Sequence, residues 1–302
     1  MLNWRFYSVL ALTIQVALAE GRALVFQSDF GLGDGAVSAM QGVAYGVSQE
    51  IDLFDLSHEI PPYDIWIAAL VLKQTAPYWP EGTVFVSVVD PGVGTDRKSV
   101  VLKTETGHFF VTPDNGTLTF VAEEMGVAEV REIDEAVNRR ENSEQSYTFH
   151  GRDVYAYTGA LLASGQIRFE DVGGQLEGVE SLAHERAHLD GALGEIRGTV
   201  MNLDVRYGNV WTNIEGNLLE QLGVDRGGRL QVEIHFKDEK RYAGEVPYVA
   251  TFGDVPEGEP LLYLNSLLKV SLALNMESFA EVFGISYGKD WMITLRALEE
   301  SR

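Results

Sequence analysis

From Ala23 onward, short apolar runs alternate with stretches in which apolar residues recur every three to four positions. The first pattern suits a buried strand and the second an amphipathic helix. Ala23 to Phe26 reads as a strand ending in the loop Ser28-Asp29-Phe30-Gly31-Leu32-Gly33-Asp34-Gly35, and a helical pattern follows from about Ala36 to Val47. Ile51 to Leu56 reads as a second strand. Tyr63 to Ala76 reads as a helix stopped by Pro77 and Pro80, because proline lacks the N–H that continues a helix. Thr83 to Val89 is rich in β-branched and aromatic residues, predicts a strand, and ends at Asp90-Pro91-Gly92. Further strands are expected near Val100 and Phe109, with helices near Leu118 to Glu124 and Val154 to Ser164. Strands alternating with helices predict an α/β N-terminal domain with a mainly parallel sheet, covered on both faces.

The rhythm changes after about residue 190. Ile196 to Met201, Val210 to Ile214, Arg229 to Phe236, Tyr248 to Phe252, Leu261 to Leu264 and Met292 to Leu295 are short strand patterns separated by glycine-rich or charged turns. One helix is expected near Glu277 to Val282. This predicts an all-β, barrel-like C-terminal domain. The expected division is an N-terminal domain over residues 20–182 and a C-terminal one over 190–302, with the polar stretch from about Gly173 to Asp190 as linker.

The first residues change the picture of where the protein works. Arg5 precedes a mostly apolar run from Tyr7 to Leu18, and Ala17-Leu18-Ala19 reads as a small-x-small cleavage site before Glu20. This predicts a signal peptide over residues 1–19 and a periplasmic or secreted location. The alternatives are an N-terminal helix or an uncleaved anchor, and a cytoplasmic location if the segment is not a signal. No later segment is long and apolar enough to cross a bilayer, so no stable membrane insertion is expected. The formal net charge of −22 disfavours nucleic acid, whose phosphates attract clustered Lys and Arg. The chain has no cysteine, which excludes disulfides, thiolate nucleophiles and cysteine-based zinc sites.

Three polar clusters follow predicted strands or precede predicted helices, where open parallel sheets bind ligands. Asp29 and Asp34 sit in the first glycine-rich loop, which lacks a lysine for phosphate. A carboxylate there suits ribose hydroxyls, or it simply caps a turn. Asp90 and Arg97 flank Pro91-Gly92-Val93-Gly94-Thr95-Asp96 and can fold back on each other, as a site or as a surface ion pair. His150 lies in Tyr147-Thr148-Phe149-His150-Gly151-Arg152-Asp153, just before a predicted helix, where it is catalytic or structural. In the C-terminal half, Asp204-Val205-Arg206-Tyr207-Gly208-Asn209-Val210-Trp211-Thr212-Asn213 mixes polar and aromatic groups that suit a flat base, or form a β-turn over core aromatics. Asn265-Ser266 is a similar contact or another turn. No histidine pair with a supporting carboxylate has trusted metal-ligand spacing, so no metal site is expected.

Together these clusters resemble the S-adenosylmethionine (SAM) hydroxide adenosyltransferases, relatives of the fluorinase and chlorinase. The resemblance runs from about Ala23 to the C-terminus. It rests on Ser28-Asp29-Phe30-Gly31, Ser57-His58-Glu59-Ile60, Asp90-Pro91-Gly92-Val93-Gly94, Pro113-Asp114-Asn115-Gly116, Phe149-His150-Gly151-Arg152-Asp153 and Tyr207-Gly208-Asn209-Val210-Trp211-Thr212-Asn213. Each motif is weak alone, and their shared order carries the resemblance. It implies an α/β domain, a β-barrel-like domain, a homotrimer, and a substrate site between one subunit's N-terminal domain and the next subunit's C-terminal domain. Asp90, Arg97 and His150 match the hydrolases' Asp-Arg-His triad. Asp34 matches the carboxylate that holds the ribose hydroxyls, and Tyr63 falls beside the ribose. Phe149 and Asp29 stand in motifs of the substrate site. Asp204 and Ser266 match groups on the methionine headgroup, and Tyr207 and Asn209 match adenine contacts. Asn275-Met276-Glu277-Ser278 departs from the family's glycine- and alanine-rich segment, and Leu267 departs from the halogenase pattern. So does Asp90, where halogenases carry tyrosine.

The implied reaction is hydrolysis of SAM at ribose C5′ to adenosine and methionine. The leaving group is a neutral thioether, so neither a cofactor nor a metal is expected. The alternatives are a chlorinase, an exported adenosine- or SAM-binding protein without turnover, and an exported adhesive or structural domain that kept an old fold.

Overall fold

The computed structural model describes residues 23–298. The expected signal peptide at residues 1–19 lies outside them. The chain divides into two compact units, residues 23–64 with 72–179, and residues 65–71 with 180–298.

In the first unit, β1 (Ala23–Ser28), α1 (Ala36–Val47), β2 (Asp52–Ser57), α2 (Ile65–Thr75, of which only residues 72–75 belong to this unit), β3 (Val84–Val88), β4 (Ser99–Lys103), β5 (Phe109–Pro113), α3 (Thr119–Met125) and β6 (Glu129–Glu132) follow in order. A π-helical turn, Gly151–Ala156, runs into α4 (Tyr157–Ala163), and β7 (Gln175–Leu176) closes the set. The sheet order is β2-β1-β3-β5-β4-β6-β7. The strands β2, β1, β3 and β5 are parallel, and β4, β6 and β7 join antiparallel. Successive side chains point to opposite faces and both faces are buried, so the central strands read as continuous apolar runs. Leu24, Phe26, Val84 and Val86 pack on one face with Met40, Ala44 and Ala160. Val25, Phe85 and Phe110 pack on the other with Leu72, Leu118 and Val121. The Phe85 and Phe110 rings stack at 4.9 Å.

The second unit holds β8 (His188–Asp190), β9 (Glu195–Leu203), β10 (Val210–Glu215), α5 (Gly216–Gln221), β11 (Arg229–Phe236), β12 (Glu239–Pro247), β13 (Pro260–Leu264), β14 (Lys269–Leu274), α6 (Phe279–Phe283) and β15 (Trp291–Ala297). Its order is β12-β11-β15-β9-β10-β14-β13, all antiparallel, with β8 on β9. Tyr248, just past β12, bridges to Leu262 of β13, so the two edges meet in a nearly closed barrel. Ile196, Val210, Leu230, Val232, Leu272 and Ile293 fill its core.

Several elements differ from the sequence reading. Tyr63 does not start a helix: its φ is 67°, and α2 begins at Ile65. Pro61 and Pro62 precede it, the Asp64 N–H closes a turn on the Pro61 carbonyl, and the Tyr63 N–H donates to Asp29. The strand expected at Tyr248 to Phe252 does not form: β12 ends at Pro247, and Phe252–Asp254 is a 3-10 turn. Lys237, at φ 53°, turns β11 directly into β12. Only Tyr242 and Val246 of β12 are buried, so its charged outer face hid it. The apolar run of β14 and the short β6, β7 and β8 were also unmarked, the last two lying inside the expected linker.

Candidate active site

The loop after β3 folds back on itself. The Val93 N–H donates to the Asp90 carbonyl at 3.2 Å, and Thr95 N–H donates to the Gly92 carbonyl at 3.1 Å. Gly94 takes a φ of 77°, a left-handed conformation that costs glycine little. The fold-back delivers Arg97 to Asp90: Nε donates to Oδ1 at 2.8 Å and Nη2 to Oδ2 at 2.6 Å. This forked pair is buried, with side-chain exposures of 11% for Arg97 and 6% for Asp90. Burial pulls the Arg97 pKa down, but the bond to Asp90 and nearby negative charge outweigh it, and the net shift is upward. Arg97 therefore stays charged. Asn115 Nδ2 donates to the Val89 carbonyl at 2.9 Å and pins the strand end beside Asp90.

His150, 53 residues from Arg97, meets the same guanidinium, with Nδ1 2.8 Å from Arg97 Nη2. A guanidinium only donates, so Nδ1 accepts and the neutral ring carries its proton on Nε2. Burial, together with the positive charge of Arg97 and Arg139, holds the imidazole below its ordinary pKa, against the opposing pull of Glu135 and Asp90. Arg97 Nη1 also donates to Ser99 Oγ at 2.9 Å, and Ser99 Oγ lies 3.1 Å from the Tyr155 hydroxyl. Burial raises the Tyr155 pKa and keeps it a phenol. The π-helical turn carrying Tyr155 begins immediately after His150; such turns recur at functional sites because they re-aim side chains.

A pocket of about 250 Å³ opens on this group, and Asp90, His150, Asp29, Tyr63 and Phe149 all line it. Asp29 and Asp90 follow the ends of β1 and β3, two neighbouring parallel strands. Arg97 lies behind the lining, bonded to both Asp90 and His150. Both Asp90 oxygens serve Arg97, yet each carboxylate oxygen retains capacity to accept a second bond. Phe149 is wedged between the Phe30 ring at 5.7 Å and the Arg152 guanidinium at 4.9 Å. Arg152 is itself clamped on Asp153 by bonds of 2.8 and 2.7 Å. Asp34 is exposed, outside the lining, and accepts the Ala36 N–H at 2.8 Å at the start of α1.

In the second unit, Asp204 Oδ1 accepts the N–H groups of Arg206 and Tyr207, each at 3.0 Å, and shapes a turn. Gly208 closes that turn at φ 66°; a Cβ there would fall 1.9 Å from Ser278 Oγ. Tyr207 and Asn209 line a separate pocket of about 480 Å³ with Arg206, Phe252, Asn275 and Met276. Ser266 is exposed between β13 and β14, and neither it nor Asp204 lines that pocket.

Sequence reading assigned no role to Ser99, Tyr155, Glu135, Arg139, Ser28, Asp55 or His58, although Ser28 and His58 stand in quoted motifs. Ser28 Oγ lies 2.7 Å from His58 Nδ1, and His58 Nε2 lies 3.1 Å from Asp55 Oδ1. The His58 carbonyl accepts the Gly31 N–H at 2.7 Å, so this chain braces the loop bearing Asp29. The fully buried Ser28 is a strut, not an accessible nucleophile. Among the described residues, no group of three or more His, Asp or Glu side chains is placed to hold a metal ion, and no helix is long and apolar enough to cross a membrane.

The fold and site define a class: a mixed α/β unit with a carboxylate-lined pocket at the ends of parallel strands, joined in one chain to an antiparallel barrel-like unit. The chain belongs to the SAM hydroxide adenosyltransferase family, whose N-terminal domain matches residues 24–173 and whose C-terminal domain matches residues 198–292. It is 37% identical to the (R)-S-adenosyl-L-methionine hydrolase of Methanocaldococcus jannaschii, over 64% of this chain and 66% of that protein. It is 30% identical to the fluorinase of Nocardia brasiliensis, over 88% of this chain and 94% of that one. A solved structure from Thermotoga maritima superposes with a TM-score of 0.81 at 34% identity, covering 90% of this chain and 99% of that one.

Proposed function

We propose that this chain hydrolyses S-adenosyl-L-methionine to adenosine and L-methionine by attack of water on ribose C5′. The observation that carries the reading is Arg97, which binds a pocket carboxylate and a pocket imidazole through one guanidinium. In the proposed step the water oxygen bonds to C5′, the C5′–S bond breaks, and its electron pair goes to sulfur. The proton leaves late. Once the C–O bond forms, the former water is an oxonium, acidic enough for Asp90 to accept its proton. Holding water in line at roughly 3–3.5 Å from C5′ can remove ~7–11 kcal/mol of barrier in the best cases. Methionine departs neutral, so the reaction needs neither a metal nor a cofactor.

Pocket position favours Asp29 over Asp34 as the carboxylate for the ribose hydroxyls, with Tyr63 and Phe149 against the sugar. Asp34 then serves as the turn that starts α1. A drug-sized ligand needs roughly 300–1,000 Å³, more than the first pocket offers. We therefore propose that a homotrimer completes the site, with Tyr207 and Asn209 of a neighbouring copy on adenine, and Asp204 and Ser266 toward the methionine headgroup. Export through the segment ending at Ala19 is also proposed. N-terminal sequencing of the native protein should begin at Glu20, and an intact Met1 would overturn it.

A halide-using reaction is the second reading, favoured by the fluorinase relative. The Asp90 carboxylate in the pocket opposes it, since like charges repel across a few ångströms. The test is incubation with each sulfonium epimer of SAM in ¹⁸O-water, with and without chloride or fluoride. The expected result is adenosine labelled at its 5′-oxygen, unlabelled methionine, no halide dependence, and preference for the (R) epimer that the relative's name specifies. A halogenated nucleoside selects the second reading, and unconsumed SAM rejects both.

A further inference from the structure

The side of the His150 ring turned away from Arg97 has no part in the reaction described so far. His150 Nε2 is buried and has no hydrogen-bond partner among the described residues. Glu135 Oε2 stands 3.8 Å from it. Glu135 is fixed there, because Arg139 Nη1 donates to the same oxygen at 2.7 Å. Arg139 is fixed in turn: Nε donates to Ser143 Oγ at 3.0 Å, and Nη2 donates to the Ser146 carbonyl at 2.8 Å. Its guanidinium lies 4.6 Å from the Tyr147 ring centre, and Tyr147 meets the His150 ring edge-on at 6.2 Å. The segment after β6 thus loops around the imidazole and brings one carboxylate to its outer nitrogen.

We infer that Glu135 is a positioning residue that sets the tautomer of His150, keeping the proton on Nε2 so that Nδ1 accepts from Arg97. A negative charge facing one ring nitrogen favours the proton on that nitrogen, and the proton's place decides what the other nitrogen can do. In the opposite tautomer Nδ1 carries a hydrogen and confronts a guanidinium N–H, so the link from His150 to Arg97 and Asp90 is lost. Glu135 does not line the pocket and acts only through His150. The charged and titratable groups around the ring are Asp90 and Arg97 from the β3–β4 segment, Glu135 and Arg139 from the segment after β6, Tyr147 just before it, and Tyr155 from the π-helical turn. Of these, Glu135 and Asp90 favour the protonated ring, while Arg97 and Arg139 oppose it.

The kinetic half of this inference rests on the hydrolase reading; the structural half does not. The test uses the full chain and the variants Glu135→Gln and Glu135→Asp, with His150→Gln to assign the resonances. Nitrogen-15 NMR of the imidazole reads the tautomer and the titration midpoint. Steady-state kinetics on SAM reads kcat and KM across pH. In Glu135→Gln we expect the His150 midpoint to move to lower pH, the Nδ1–H tautomer to appear, and kcat to fall about tenfold or more with KM nearly unchanged. Glu135→Asp should restore part of each. If Glu135→Gln folds normally and leaves the His150 midpoint and tautomer as in the parent, the inference is overturned. If Glu135→Gln does not fold, Glu135→Asp carries the same NMR comparison, with a shift in midpoint as the expected result and none as the overturning one. A shifted His150 in a parent chain that leaves SAM intact sustains the pairing and rejects the hydrolase reading instead.

Discussion

At Arg97, two nitrogens grip both oxygens of Asp90 and one of them also reaches His150. A lysine carries comparable charge but offers a single point of attachment, so it cannot hold this geometry. Arg97→Lys should therefore lower kcat by roughly 100-fold or more while the chain stays folded, read by steady-state kinetics beside circular dichroism. Removing one of several groups around a developing charge commonly has effects of that order. The pH dependence follows from His150. Burial and the positive charge of Arg97 and Arg139 put its folded-state pKa below the ordinary 6.5. The unfolded chain thus takes up this proton first as pH falls, and stability rises with pH wherever the unfolded state binds more protons. The contribution is complete above pH 6.5 and is lost below it, down to the lowered folded-state value. Thermal midpoints measured against pH should fall more steeply below 6.5 in the parent than in His150→Gln. The kcat of the parent should hold its plateau to below pH 6.5 before it drops.

At the scale of elements, the site depends on helices seated closely on the sheet. Gly159 of α4 faces β1 and β3, and a Cβ there would lie 2.6 Å from a Val86 methyl and 3.2 Å from a Leu24 methyl. Both side chains are fully buried and have little room to yield. Gly159→Ala gains up to ~1 kcal/mol of helix preference. Overpacking a core costs ~1–3 kcal/mol, so against that gain the net effect should be a loss of up to ~2 kcal/mol. Urea unfolding with an unchanged m-value checks this. The same seating aims the π-helical turn, and with it His150 and Phe149, at the pocket. Sequence periodicity identified α1, β1, β3 and β5, because buried faces impose regular apolar spacing. It did not identify β12, whose buried positions are few among charges, nor the turn at Tyr63, where a backbone N–H is held by a carboxylate 34 residues away.

For the whole molecule, a pocket lies in each unit, and neither holds every group that the proposed substrate requires. If subunits share their sites, two inactive chains can complement each other. Asp90→Asn and a Tyr207→Ala/Asn209→Ala double variant, co-expressed and each inactive alone, should form mixed trimers. About a third of their sites are then intact, because a ring of two copies of one variant and one of the other has a single interface with both halves functional. Assays of the co-purified protein should recover activity near that share, and sedimentation should give three times the protomer mass. No recovery in demonstrably mixed oligomers means that each site belongs to one copy.

The sequence by itself determined the fold class, because burial on one or two faces writes period-two and period-3.6 patterns into the chain. Asp90, Arg97 and His150 were each open to a structural reading from charge and spacing alone, and only the resemblance to the family's Asp-Arg-His triad singled them out. Only the tertiary structure decided that His150 meets Arg97 across 53 residues, that Asp29 rather than Asp34 lines the pocket, and that Glu135 faces the far side of the imidazole. Those outcomes depend on where loops return after the sheet has formed. A loop's path is set by a few backbone hydrogen bonds and left-handed residues that leave no periodic trace in the sequence.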